Sequence, residues 1–185
     1  MRTRLVLILL LPLAVTGCAA APVAVASAVS DAPPAADDLA AGAIAVVTSA
    51  APDAQSAALV QAVRDAVAPR GGEVTVYSEE SVLTSVDEAL DAGVDLVVGV
   101  GPDTAGAFDL LSAANLDRRF LMLGTQLAEP TDNVVAVVWP GADQRAVFAD
   151  EKLGFDNAAA YATDAVARGF AAFAAGPTAD VISLG

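Results

Sequence analysis

The sequence has 185 residues, enough for one domain with a processing segment and too few for two substantial cores. A formal net charge of −14 argues against nucleic acid, whose phosphates need clustered Lys and Arg, and against a basic membrane-surface patch. Histidine is absent and the one cysteine is Cys18, which removes the commonest general base, the commonest zinc ligand, disulfides and thiolate metal sites.

Arg2 and Arg4 precede an apolar run, Leu5 to Val15, interrupted only by Pro12. The run is too short to span a bilayer, which takes about 20 apolar residues, and its pattern is that of a secretory signal peptide. Val15-Thr16-Gly17-Cys18 closes it and resembles a bacterial lipobox, a small residue followed by a cysteine. The resemblance implies acyl chains such as palmitate on the Cys18 thiol and cleavage of the leader before it. Two or more chains anchor stably where one does not, at about 0.8 kcal/mol per buried CH₂. The expected organisation is a lipoprotein signal peptide over residues 1–17, a lipidated flexible tether over 18–41 rich in Ala, Pro and Ser, and an α/β domain over 42–185. The protein is then a cell-membrane lipoprotein on the extracytoplasmic face. The alternative is an ordinary signal peptide with a chance cysteine.

From Gly42 onward short apolar runs alternate with amphipathic segments. Ala43 to Thr48 reads as a buried strand, and Asp53 as the cap of a helix to about Ala68 with Val60, Val63 and Val67 on one stripe. Glu73 to Tyr77 is the second strand. Ser85-Val86-Asp87-Glu88 has the spacing of a capping box, with a turn beginning as early as Ser81 as the other possibility, and Gly93 ends that helix. Leu96 to Val100 is the third strand. Gly101 or Asp103 opens a helix to about Ala114. Phe120 to Leu123 and Val134 to Val138 are the fourth and fifth strands. Ala142 to Leu153 and Asn157 to Ala175 read as helices, and Asp180 to Leu184 as a last strand. Apolar runs without alternation belong to strands buried on both faces. The order therefore predicts a doubly wound, mostly parallel sheet with helices on both faces.

Ligands of open parallel sheets bind beyond the carboxyl ends of the strands. That rule nominates Ser49, Asp53 and Gln55 after the first strand and Gly101, Asp103 and Thr104 after the third. It adds Thr125 after the fourth, and Trp139 and Asp143 after the fifth. Each has a plainer reading. Asp53 and Asp103 stand where helix caps stand. Trp139 either stacks a planar ligand or covers the sheet edge. Gly99-Val100-Gly101 is only a fragment of a dinucleotide fingerprint, with Thr104 where its third glycine belongs, so nucleotide-phosphate binding is not expected.

Asp95-Leu96-Val97-Val98-Gly99-Val100-Gly101 resembles the Gly-x-Asp-Leu-Ile-Ile-Gly-Val-Gly strand of the basic membrane protein family. Phe120 to Leu123, Asn133 to Val138 and the Asp53-Ala54-Gln55-Ser56 stretch are similar to further segments of that family. These are lipoproteins of the type I periplasmic-binding-protein fold, and the resemblance implies one lobe of such a fold over Gly42 to roughly Gly176. Family members bind nucleosides or other small solutes between two lobes and deliver them to a transporter. The aromatic residue expected near Asp53 is absent. Asp180 to Gly185 stands where the first strand of a second lobe is expected.

Two functions follow as expectations. One is a solute-binding-like component of an uptake system, with a small solute, a transporter permease or a second copy of itself as partners. The other is an envelope lipoprotein acting as scaffold or sensor partner, which presents Tyr161, Phe170 and Phe173 on an exposed apolar face. No carboxylate cluster has calcium-loop spacing and there is no Gly-x-Ser-x-Gly elbow, so no metal, cofactor or catalytic residue is expected.

Overall fold

In a computed structural model of the chain, residues 40–142, 155–176 and 179–185 are described. The leader, Cys18, most of the expected tether, Asp143 and the expected helix from there to Leu153 lie outside the described residues. Six strands form one sheet: β1 Ala43–Val47, β2 Glu73–Tyr77, β3 Leu96–Val100, β4 Phe120–Leu123, β5 Val134–Val138 and β6 Asp180–Ser183. Their spatial order is β2-β1-β3-β4-β5-β6, and every neighbouring pair is parallel. The protein is thus a doubly wound α/β lobe. The strands β3, β4 and β5 are buried at every residue, whereas the edge strands β2 and β6 are partly exposed. The reason is coverage on both faces, which leaves no solvent side for polar residues.

Helices α1 Ala54–Val67 and α4 Ala158–Ala175 cover one face, packing on Ile44, Val46, Val98, Leu121 and Val137. Helices α2 Val82–Asp91 and α3 Ala105–Ala114 cover the other, on Ala45, Val47, Val97, Phe120 and Met122. Alternate residues along each strand feed the two cores, as the pleat requires. The connection from β4 to β5 has no helix, and its buried Leu127 joins the core on the α2–α3 face. Gly169 lets α4 approach the sheet closely: a Cβ there would lie 2.5 Å from Leu121 Cδ1.

Three expectations are corrected. Helix α2 starts at Val82 with Ser81 as its cap, not at the capping box. Ser85 is fully buried inside the helix, and its hydroxyl accepts from Glu79 N at 2.9 Å. Asp180 to Ser183 does not open a second lobe, since it pairs with β5 from Val135↔Asp180 to Val138↔Ser183. Phe170 and Phe173 are buried and Tyr161 half-buried, all against the core between α4 and the sheet, so they form no exposed face.

Candidate functional site

The carboxyl ends of β1, β3, β4 and β5 stand side by side, so the turns that follow them share one crest. Between β1 and β3 the winding reverses: α1 leaves on one face and α3 on the other. Such a switch point leaves a crevice between the two turns. Ser49 and Asp53 come to it from β1, and Gly101, Asp103 and Thr104 from β3. Thr125 lies one strand further along.

The same residues also carry local structure. Asp53 is exposed and caps α1, accepting from Ser56 N at 2.8 Å. Its carboxylate satisfies one of the orphan amides that every helix start presents. Ser49 is half-buried in the turn before it. Gln55, in the first turn of α1, reaches another element: its Oε1 accepts from Ala159 N at 2.9 Å, at the start of α4. Gly101 holds φ +84° as the chain leaves β3. Asp103 is exposed on the single 3₁₀ turn Pro102–Thr104. Thr104 is fully buried and donates its hydroxyl to Gly101 O at 2.8 Å, closing that turn. Thr125 is buried beyond β4.

Trp139 has no exposed surface. Its ring lies 5.7 Å from that of Tyr161 at an interplanar angle of 8° and 6.3 Å from that of Phe155 at 29°. It neither offers a platform to a ligand nor covers a sheet edge, because β5 is flanked by β4 and β6. Sequence reasoning missed Phe155, the residue that closes this half of the crest. A Cβ on Gly101 would lie 3.1 Å from the Phe155 ring, and one on Gly124, at φ +81°, 2.9 Å from it. The two glycines just past β3 and β4 were the available signal, since bare backbone at a strand end admits a large group from elsewhere. The crest is thus polar and accessible at Ser49, Asp53 and Asp103, and apolar and filled where Phe155 lies over Gly101 and Gly124.

Beside the crest, a cavity of about 330 Å³ opens between α1 and the edge strand β2, lined in part by Thr48, Val60, Gln61, Arg64, Val76 and Ser78. Thr48 is 1% exposed and its hydroxyl oxygen has no hydrogen-bond partner. An orphaned buried polar group of this kind costs about 1–3 kcal/mol. A second cavity, of about 450 Å³, involves Leu116 and Asn133 near the opposite end of the sheet. There Asn133 donates to Ser112 O at 3.1 Å and Asn115 O at 3.0 Å, tying down the last turn of α3. Among the described residues no group of three or more Cys, Asp or Glu is placed to hold a metal ion, and no helix is long and apolar enough to cross a membrane.

No family model matches the chain, and no curated protein does. Among solved structures the chain is similar to one described as an ABC transporter system solute-binding protein from Aeropyrum pernix K1, with a TM-score of 0.47 and 12% sequence identity. The match covers 77% of this chain and 46% of that one, so this chain spans about half that protein's length.

Proposed function

We propose that the chain is a non-catalytic, solute-binding-like component of an uptake system, anchored through lipid on Cys18 to the extracytoplasmic face of the cell membrane. Nucleosides and similar small polar solutes are the ligand class, and a transporter permease or a second copy of the chain is the partner. The observation that carries the reading is the switch point between β1 and β3, which brings Ser49, Asp53 and Asp103 to the end of the sheet that open parallel sheets use for ligands. The Asp95 to Gly101 strand and the lipobox add the resemblance to basic membrane proteins. The described lobe offers one side of a ligand site, and a partner surface is proposed to supply the other.

The second reading, an envelope scaffold or sensor partner without ligand capture, draws on the side chains already engaged. Gln55 caps α4, Thr104 closes its own turn and Trp139 is packed away. Calorimetry on the full chain with nucleosides, sugars and amino acids separates the two. The uptake reading expects saturable heat with a nucleoside, lost in Asp103→Ala while thermal melting is unchanged. Absence of heat with all three classes rejects it in favour of the scaffold.

A further inference from the structure

The crest accounts for neither the Thr48 hydroxyl nor the cavity beneath which it lies. Thr48 directly follows β1, and its side-chain oxygen is buried without a partner although Thr48 itself lines the cavity between α1 and β2. Buried hydroxyls in folded proteins nearly always have a partner, so an orphan beside a cavity calls for one that enters from outside. Arg64 lines the same cavity. Among the described residues it forms no ion pair, in a chain where 23 acidic residues outnumber 9 basic ones. Neighbouring Asp65 is engaged instead by Gln61, whose Nε2 donates to its Oδ1 at 2.8 Å. Part of the wall is apolar, with Val60 buried and Val76 half-buried.

From this arrangement we infer that the flank of α1 is a second ligand site, separate from the crest, which takes a small organic monoanion. Its carboxylate meets Arg64, its short branched hydrocarbon body lies against Val60 and Val76, and the Thr48 hydroxyl gains a hydrogen bond. About 330 Å³ is ample for a short-chain carboxylic acid. A single guanidinium recognises a carboxylate by two parallel hydrogen bonds. The surplus negative charge of the chain works against more highly charged anions. A branched monocarboxylate is therefore preferred to phosphate.

The test is an NMR titration of the isotopically labelled full chain with isovalerate, with isovaleramide and inorganic phosphate as controls. Saturable shifts at Thr48, Gln61, Arg64 and Val76 are expected with isovalerate. Isovaleramide and phosphate should bind at least tenfold more weakly, and Arg64→Gln should weaken isovalerate at least tenfold. Arg64 is an exposed helix residue, so this substitution leaves the fold intact. Thr48→Val, which keeps the shape and removes the oxygen, should weaken it several-fold. No saturable shift at these residues, or isovalerate binding equal in Arg64→Gln and the parent chain, overturns the site. Because Gln61, Arg64 and Val76 are not crest residues, nucleoside binding can fail while this site stands, and the reverse.

Discussion

The side chain of Gln55 caps a helix to which it does not belong: its Oε1 accepts the amide hydrogen of Ala159, 104 residues later, at 2.9 Å. The first turn of α1 is thereby tied to the first turn of α4, directly below the crest. The bond does for α4 what a side-chain cap does within one helix, since Asn157, at the cap position itself, makes no such bond.

Gln55→Ala is accordingly expected to cost about 1 kcal/mol, the worth of a helix cap, and to lower the melting temperature by about 3 °C. Gln55→Glu retains the acceptor and adds a charge favourable at a helix start, so it should keep the parent stability. Urea denaturation of the three proteins checks this. Equal losses in both variants would show that the bond is immaterial.

Gly169→Ala should destabilise although alanine is the better helix former by about 1 kcal/mol. The added methyl meets Leu121, a fully buried residue of a central strand with nowhere to retreat. Overpacking of that sort costs about 1–3 kcal/mol. Trimming the obstacle in Gly169→Ala/Leu121→Ala should make the two losses less than additive, which a double-mutant cycle in urea measures.

The buried ring of Trp139 gives an optical forecast. As the sole tryptophan, packed between Tyr161 and Phe155, it should emit at short wavelength and resist quenching by acrylamide until the lobe unfolds. Saturating crest ligand should leave its emission maximum in place. A ligand-induced red shift would mean that the closed half of the crest opens.

Phe155→Ala removes the ring that lies over Gly101 and Gly124 and is expected to cost about 3–5 kcal/mol, the range for deleting a buried phenylalanine. Phe155→Leu, which refills most of the volume, should recover more than half of that, as read from the midpoint of chemical denaturation.

Most of the architecture was legible because it is written locally. The central strands are short apolar runs set off by Gly, Asp or Asn, and Glu73–Tyr77, Leu96–Val100, Phe120–Leu123 and Val134–Val138 coincide with the runs read from the sequence. The start of α2 was misplaced because two serines four apart both offer a cap. Val82, Val86, Ala89 and Leu90 fall on one helical face, which requires the earlier start. The crest was legible as a location, since strand ends follow from strands. What its side chains do was not, because the deciding contacts span the chain. Gln55 finds its partner on α4, Trp139 finds Tyr161, and Phe155 arrives from beyond β5 to close on turns that follow β3 and β4. No local pattern carries such pairings.

Under the proposed function, hydrocarbon on Cys18 holds this α/β lobe outside the cell, where solutes can reach its crest. Labelling cells that express the chain with radioactive palmitate tests it most directly. Label on the parent protein and its recovery with membranes are expected, and neither is expected for Cys18→Ser. An unlabelled parent protein, fractionating as the serine variant does, would contradict it.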